Sequence, residues 1–348
     1  MDSSMRSNVI AMDKSTGNKE WQYSVSTESS TRPPIVIGDT VVFREDRTDT
    51  GYHLRGLDRN TGAKCWKHEL PVDETDHYPG PLINRGEIIY DVSSDGKVTA
   101  IEIPSNETLW TRNAATEGRI KATALSGDKL YFGGENGQIC CVNCETGGRV
   151  WKADDAGAIR TLSIGDELVL AGCEDDGKIE AYDSETGRRV WTHPLPGVTS
   201  QNMAVAEELL YVGTNAGTIH AIDMRGEQWW EFQTDEIGSH GWISKKLLPG
   251  YRLYGVTGSP SVTEDVVLFG SDDGKLYALD AKTGELLWKQ QLFESETRRE
   301  DLRSGIWCQP VVDDGIIYLM DYTSTRNETK EGYVYALTAP VTGVRENT

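Results

Sequence analysis

A short segment that recurs along the chain constrains its fold more than any other feature. The clearest copy is LYALDAKTGELLW, at Leu276–Trp288. Related copies occur at Val9–Trp21, Leu54–Trp66, Val98–Trp110, Ile139–Trp151, Ile179–Trp191, Ile219–Trp230 and, without a tryptophan, Val334–Gly343. Self-similarity at a regular spacing is the signature of a repeat architecture, in which every copy is one supersecondary unit.

Each copy reads as a strand, a turn and the start of another strand. Leu276–Asp280 alternates as a strand does, and Ala281–Gly284 has the residue types of a tight turn. The tryptophan then begins the next strand, where its ring can fill the space between neighbouring sheets. A second hairpin precedes the copy, within Ser259–Asp280. Each repeat therefore predicts four strands, here called A to D, in about 40 residues, which is the content of one β-propeller blade.

The spacing and the two ends of the chain predict how many blades there are. Successive tryptophans lie 45, 44, 41, 40, 39 and 58 residues apart. The first unit has strands C and D only, and the last, at 309–343, has strands A, B and C. We expect an all-β, single-domain propeller over residues 1–348, closed by pairing of the strand at Glu20–Val25 with the last blade. Seven blades are favoured; eight remain possible, because strand C occurs eight times, including a copy near Val9–Asp13.

The A-x-D-x-x-T-G-x-x-x-W unit resembles the tryptophan-docking repeat of the pyrroloquinoline-quinone (PQQ)-like propeller superfamily, and the resemblance covers nearly the whole chain. This superfamily includes quinone-dependent alcohol dehydrogenases, which are enzymes. It also includes the propeller lipoprotein of the bacterial outer-membrane barrel assembly machinery, which is a scaffold, and the chain looks nearer to that type. The resemblance implies the fold and leaves both functions open.

Three of the six cysteines, Cys140, Cys141 and Cys144, lie within one repeat. The resemblance implies that a quinone dehydrogenase would carry a vicinal cysteine pair over its cofactor, together with Ca²⁺. Alignment of the repeats, however, places these cysteines where the copy at Leu276–Trp288 has Tyr, Ala and Ala. Neighbouring strand residues face opposite ways, so we expect scaffold cysteines and no cofactor. Half of a zinc or redox site at Cys141 and Cys144, and PQQ with Ca²⁺, are the alternatives.

Other catalytic patterns are absent from the sequence, which contains no G-x-S-x-G, H-E-x-x-H or P-loop motif. The Asp-Asp-Gly runs at Asp175 and Asp272 fall in B–C turns, and we expect them to serve the turns and not to bind calcium. His220 takes the Tyr277 position of its repeat and is expected at the strand surface. We therefore expect a protein without catalytic residues.

The chain carries 35 Lys and Arg against 55 Asp and Glu, a formal net charge of −20. This balance argues against binding of nucleic acid or anionic lipid and suits a salt-adapted surface. No run of 18 apolar residues occurs, so we expect no membrane span. The N-terminal sequence shows no signal-peptide pattern, from which we expect a cytoplasmic monomer, or a protein of the cell envelope or exported if the N-terminus has been trimmed.

Long connections predict where a protein partner binds. The D–A connections Thr234–Gly258 and Lys289–Trp307 are long, as are the B–C connections Arg44–Tyr52 and Asp321–Gly332. Loops on a rigid scaffold commonly carry function, and aromatic and Arg residues dominate interface hot spots. We expect partner binding by residues of these loops, namely Trp242, Tyr251, Arg252, Tyr254 and Trp307.

Residues just before each innermost strand A should surround the mouth of the propeller channel. Alignment of the repeats places Arg32, Lys121, Arg160, Gln201 and Gln309 there. Three converging cations predict a small anion site; in the alternative, each cation pairs with an acidic neighbour from the adjacent blade. The sequence thus favours a non-catalytic interaction scaffold, and the alternative is a ligand- or cofactor-binding propeller, possibly a quinoprotein oxidoreductase.

Overall fold

The computed structural model describes strands and turns along most of the chain. The described residues are 8–13, 16–25, 34–47, 51–70, 82–93, 96–103, 105–113, 118–174, 177–197, 199, 203–235, 255–256, 258–263, 265–292, 303–306, 308–313, 315–320, 322–324 and 334–338. The chain divides into two compact units, one of residues 1–136 with 140–152 and the other of residues 137–139 with 153–348.

Six antiparallel sheets have four strands each and are numbered here as blades 1 to 6. Blade 1 contains β3 (Ile35–Ile37), β4 (Thr40–Arg47), β5 (Gly51–Asp58) and β6 (Lys64–Glu69). Blade 2 contains β7 (Ile83–Arg85), β8 (Ile88–Val92), β9 (Lys97–Glu102) and β10 (Glu107–Asn113). Blade 3 contains β11 (Ile120–Ser126), β12 (Lys129–Gly134), β13 (Ile139–Asn143) and β14 (Arg149–Ala153). Blade 4 contains β15 (Ile159–Gly165), β16 (Leu168–Cys173), β17 (Lys178–Asp183) and β18 (Arg189–Pro194). Blade 5 contains β19 (Ala204–Ala206), β20 (Leu209–Gly213), β21 (Thr218–Asp223) and β22 (Gln228–Gln233). Blade 6 contains β23 (Ser261–Thr263), β24 (Val266–Gly270), β25 (Lys275–Asp280) and β26 (Leu286–Gln291).

The remaining strands form three smaller sheets. An N-terminal hairpin pairs β1 (Asn8–Met12) with β2 (Lys19–Ser24). A C-terminal sheet joins β28 (Val311–Asp313), β29 (Ile316–Met320) and β31 (Val334–Thr338), and β27 (Arg303–Gly305) pairs with β30 (Tyr322–Ser324). The N-terminal hairpin and the three-stranded C-terminal sheet are the predicted C–D and A–B–C units, and the strand content is consistent with the predicted blade count. Among the described strand pairs, none joins β1 or β2 to the C-terminal sheet, so the predicted closure stays a prediction.

In several of the described repeats, the tryptophan docks on the turn of the following sheet. The indole Nε1–H of Trp230 in blade 5 donates to the main-chain oxygen of Ala281 in blade 6, at 3.0 Å. The same bond joins Trp21 to Arg59 O at 2.8 Å and Trp191 to Met224 O at 2.9 Å. A large buried ring with a polar N–H needs such an acceptor. The repeat tryptophan therefore links one blade to the next.

The Thr-Gly turn is shaped by this docking. Asp280 Oδ1 accepts from the Thr283 amide at 2.8 Å and the Thr283 hydroxyl at 2.9 Å, which fixes the turn. Gly284 follows with φ +72°, and a Cβ there would lie 2.6 Å from Cδ2 of Trp230. Glycine is required for two reasons: the left-handed backbone and the contact with the ring.

One predicted connection is wrong. The B–C connection expected at Arg44–Tyr52 is mostly strand, because β4 continues to Arg47 and β5 begins at Gly51, with register pairs through Arg47↔Gly51. Strand B of blade 1, which is β4, has eight residues, whereas strand B has five or six residues in blades 4 to 6. The hairpin of blade 1 is therefore longer.

Candidate functional site

The B–C turn of blade 6, Ser271–Lys275, is the described point where long connections meet, and we call it the blade-6 hub. The Gly274 amide donates to Ser271 O at 3.1 Å, and the Lys275 amide donates to Asp273 Oδ1 at 3.0 Å. Asp272 is 2% exposed and Asp273 is 8% exposed. The acidic pair thus serves the turn and its surroundings, as predicted for the run at Asp272, whereas Asp175 lies outside the described residues.

One end of the longest connection is held at the hub by Gly255. The Gly255 amide donates to the Asp272 carboxylate at 2.9 Å, and the Asp272 amide donates back to Gly255 O at 3.1 Å. Charge-assisted bonds to a carboxylate are among the stronger hydrogen bonds in proteins. Asp272 therefore fixes where the chain returns to blade 6 before strand A.

The other end of this connection is held beside the same turn by Asp235. Its carboxylate accepts from the ammonium groups of Lys275 and Lys289, each at 2.6 Å. These two hydrogen bonds hold the pKa of Asp235 below its usual value. The Asp235 amide also donates to the hydroxyl oxygen of Tyr277 at 3.1 Å, and that hydroxyl donates to Asp273. Both ends of segment 236–254 are consequently anchored to the hub region.

The second pair of long connections meets in a two-stranded sheet. β27 belongs to the predicted connection Lys289–Trp307, and β30 belongs to Asp321–Gly332. They pair from Arg303↔Ser324 to Gly305↔Tyr322. The Ile306 amide, directly after β27, lies 3.5 Å from Ser271 O. The elaborated connections of this part of the chain therefore share one location, around the blade-6 hub.

The side chains predicted to bind a partner there lie outside the described residues. These are Trp242, Tyr251, Arg252, Tyr254 and Trp307. Their roles stay predictions, and the described hub shows only where the segments that carry them begin and end.

The two described cations of the predicted channel mouth pair within their own blades. Lys121 Nζ lies 3.3 Å from Glu135 Oε1 in blade 3, and Arg160 lies 2.7 Å from Glu174 Oε1 in blade 4. In each case the carboxylate follows strand B of the same sheet, whereas the alternative predicted a neighbour from the adjacent blade. Gln309 Nε2 donates to Pro260 O at 3.3 Å. Arg32 and Gln201 lie outside the described residues.

A buried charged cluster in blade 1 is the feature that sequence reasoning missed. Arg44 is 2% exposed and forms an ion pair with Asp91 of blade 2, which is 6% exposed. By strand register, Arg44 takes the place of Gly172, Gly213 and Gly270 in blades 4 to 6.

The glycine pattern was a readable signal for this cluster. At Gly213 a Cβ would lie 2.5 Å from Val256 Cγ1. A larger residue is therefore excluded at this position in blade 5, because the segment at Val256 packs against it. An Arg in that register must reach a buried counter-charge, because an unpaired buried cation is very costly. The Glu45 carboxylate beside it is also buried, at 4% exposure.

Strand C carries a polar side chain at one recurrent buried position. In blade 4 this is Glu180, 1% exposed, which accepts from the Tyr182 hydroxyl at 2.9 Å and pairs with Arg189 at 3.2 Å. In blade 5 it is His220, and its expected place on the strand surface is wrong: it is 1% exposed, with Nε2 2.9 Å from Thr218 Oγ1. Burial lowers the pKa of this histidine.

The cysteine cluster is part of the core. Cys140, Cys141 and Cys144 carry reduced thiols and are at most 1% exposed. Cys140 and Cys144 pack with Trp110 in the core of blades 2 and 3, and Cys144 O accepts from the Trp110 indole at 3.1 Å. The predicted placement of these cysteines in the core is confirmed. Separate thiols within a buried strand do not fit a vicinal pair that covers a quinone.

The described part of the chain shows neither a cluster of metal-ligating side chains nor a membrane-spanning helix. No group of three or more His, Cys, Asp or Glu is placed to hold a metal ion there. No described helix is long and apolar enough to cross a membrane.

Comparison with known proteins identifies similar chains. The sequence pattern of the family described as outer membrane protein assembly factor BamB matches residues 3–103, 94–239 and 233–339. BamB of Shewanella oneidensis is 23% identical over 261 residues, which are 69% of this chain and 63% of that protein. A quinoprotein ethanol dehydrogenase of Pseudomonas putida is 30% identical over 212 residues, 53% of this chain and 31% of the enzyme.

A solved structure supports the fold. The crystal structure of BamB from Moraxella catarrhalis superposes with a TM-score of 0.63 at 20% identity and covers 89% of both chains. The predicted PQQ-like β-propeller fold is confirmed. The chain spans 63% and 51% of the lengths of two assembly factors that it matches, from Shewanella oneidensis and Yersinia pestis.

The expected cytoplasmic location is wrong. Similar proteins from several bacteria are outer membrane protein assembly factors, which belong to the cell envelope. The lack of a visible signal-peptide pattern was a poor guide to the compartment.

Proposed function

We propose, from the premise that this chain belongs to the family of outer membrane protein assembly factor BamB, that it is a non-catalytic scaffold that binds a protein partner. The contact surface would be formed by the connections anchored around the blade-6 hub. The observation that carries the proposal is the anchoring of Asp235 and Gly255 beside one turn, which presents the longest connection from a rigid base.

The residue types of segment 236–254 suit this role. It contains Lys245, Lys246 and Arg252 against the single carboxylate of Glu236, in a chain of formal charge −20. Trp242 and two tyrosines stand among these cations, and aromatic and Arg side chains contribute most to interface hot spots. The partner surface that complements them is acidic with apolar pockets.

Replacement of the segment tests the proposal. Residues 236–254 are exchanged for a short Gly/Ser linker, which can join Asp235 to Gly255 because both ends contact the same turn. A partner is first identified by co-purification from the native cells and then produced pure, and its affinity is measured by biolayer interferometry. We expect at least a tenfold loss of affinity with an unchanged melting temperature.

Two controls make the result specific. The connection 114–117 is replaced by a Gly/Ser linker of equal length, and Trp229→Ala removes a 56% exposed tryptophan of β22 that is outside the proposed surface. Both control variants should bind the partner as the wild type does. Trp242→Ala and Arg252→Ala should each weaken the binding free energy by more than about 1 kcal/mol. Equal affinity of the linker variant and the wild type would refute the proposal.

A second candidate is a propeller that binds a ligand or cofactor at the channel mouth. The 30% identity to a quinoprotein ethanol dehydrogenase favours it, whereas the separate buried thiols Cys140 and Cys141 do not suit a quinone site. Addition of PQQ with Ca²⁺ would then change the visible absorbance and raise the melting temperature. For a small anion, the double variant Lys121→Ala and Arg160→Ala should weaken binding to a panel of carboxylates and phosphates; unchanged binding would end that idea.

A further inference from the structure

The far half of the blade-1 hairpin is held by a buried carboxylate, imidazole and guanidinium. Glu45 Oε2 of β4 lies 2.6 Å from His53 Nε2 of β5, and Arg55 NH2 lies 3.0 Å from the same oxygen. His53 is 2% exposed and Glu45 is 4% exposed. Because Glu45 and His53 are also register partners, the cluster joins β4 to β5 near the end of the extended hairpin.

The geometry specifies the protonation of the imidazole. An imidazole nitrogen at 2.6 Å from a carboxylate oxygen must carry the hydrogen, since two acceptors would repel one another at that distance. Neutral His53 then has its hydrogen on Nε2 and a lone pair on Nδ1. Nδ1 is buried and has no hydrogen-bond partner among the described residues. A proton added to it would find no acceptor in this part of the chain.

Among the described residues, the charges that act on His53 are Glu45, Arg55 and Lys67. Lys67 lies on β6 and pairs there with Glu69, the register partner of His53, whose side chain is largely exposed. Arg44 precedes Glu45 in β4, so the ion pair of Arg44 with Asp91 of β8 lies on the other face of the strand. Within the cluster, one buried carboxylate, Glu45, faces the guanidinium of Arg55 and the imidazole. Protonation of His53 therefore places a second cation beside that single buried carboxylate, which is a costly state.

We propose that the Glu45–His53–Arg55 cluster is an acid-sensitive lock, which holds the far half of the β4–β5 hairpin closed at neutral pH and releases it when His53 takes up a proton. The part of the hairpin near Thr40 and Asp58 stays paired, because Val41, Val42 and Leu57 are buried in the core of unit 1.

The lowered pKa of His53 gives the stability of the hairpin the pH dependence that the proposed lock requires. Burial lowers the pKa of His53 from 6.5, and the hydrogen bond to Glu45 only partly offsets it. The open hairpin therefore binds the proton more readily than the closed one. The stability of the closed form is complete above pH 6.5 and falls as the pH drops through the lowered pKa. Burial opposes ionisation of Glu45, but hydrogen bonds from His53 and Arg55 outweigh it and lower its pKa below 4.5, so Glu45 titrates only at stronger acidity.

Hydrogen exchange with mass spectrometry tests the lock on the intact chain at pH 7.5 and pH 5.0. Amide protection in 44–47 and 51–55 is divided by that in the control hairpin β24–β25, which cancels the intrinsic pH dependence of exchange. Because pH 5.0 lies 1.5 units below 6.5, we expect this ratio to fall by up to about 30-fold, and by less the closer the pKa of His53 in the closed hairpin lies to 6.5. An unchanged ratio would overturn the proposal.

Two variants separate the lock from a general effect of acid. His53→Gln can still donate to Glu45 but cannot take up a proton, so its ratio should be the same at both pH values. Glu45→Gln removes the carboxylate, and its ratio should already be low at pH 7.5. If the protection ratio of His53→Gln fell between pH 7.5 and pH 5.0 as much as that of the wild type, the mechanism would be contradicted. An NMR titration of the His53 ring in the wild-type protein gives an independent reading, and a ring that titrates at or above 6.5 would also overturn it.

Discussion

The buried ion pair of Arg44 and Asp91 joins blades 1 and 2. Replacing both residues should lower the free energy of unfolding only slightly, whereas replacing one of them should lower it strongly. The Arg44 side chain is 1% exposed and that of Asp91 is 9% exposed, so either charge alone would remain in a site almost without water. Such a single replacement typically loses about 3–5 kcal/mol. We expect this loss in the free energy of unfolding for Arg44→Met and for Asp91→Leu.

The double variant should behave differently because other blades have apolar residues at the position that corresponds to Asp91. The register position of Asp91 is Phe43 in blade 1, Ala171 in blade 4 and Phe269 in blade 6. Buried ion pairs replaced by apolar residues of similar volume are often neutral or stabilising. Arg44→Met with Asp91→Leu should therefore lie within about 1 kcal/mol of the wild type or above it, at least about 5 kcal/mol better than the sum of the single losses.

Native-state hydrogen exchange in urea is the suitable assay, because a chain of two compact units need not unfold in one transition. Amides of blades 1 and 2 report the local free energy of unfolding. Lys67→Met is the matched control, since it breaks an ion pair whose Glu69 side chain is 70% exposed, and it should change stability by less than about 0.5 kcal/mol. If the double variant lost as much as the two single variants together, the argument for coupled buried charges would be refuted.

Two further predictions concern the turns and the thiols. Gly284→Ala should cost more than Gly315→Ala in thermal melts: both glycines have positive φ, at +72° and +74°, but only at Gly284 would a Cβ meet a tryptophan ring, so equal losses would contradict the docking argument. Exposed Cys65 should react with iodoacetamide before any buried cysteine, as read by peptide mass. Cys173 should stay unlabelled at pH 9, because burial and the nearby Glu180 carboxylate raise the pKa of its thiol to about 12, and early labelling of Cys173 would show that it is accessible.

The strand order within a blade, the position of the Thr-Gly turn between strands C and D, and the docking role of the tryptophan were predictable from the sequence. These features depend on residues close together in the chain: alternation specifies the strand, and Asp, Thr and Gly specify the turn. The placement of Cys140 and Cys144 in the core followed from the same register, since every repeat must fill equivalent positions. The family resemblance was correct for the same reason.

What only the tertiary structure decided lies between repeats. From the sequence, Arg44 was assigned to a loop, since a charged residue is not expected inside a buried strand. Its partner Asp91 is 47 residues away, so no local pattern shows that a buried carboxylate lies beside it. His220 appeared to belong to the surface, because burial of a polar strand residue depends on the residues that pack over it. The common anchoring of Asp235 and Gly255 at the blade-6 hub likewise required the fold. The sequence by itself therefore determined the repeated unit, through local backbone and packing preferences, whereas the fold decided which buried charges meet and where the long connections converge, because both depend on contacts between residues far apart in the chain.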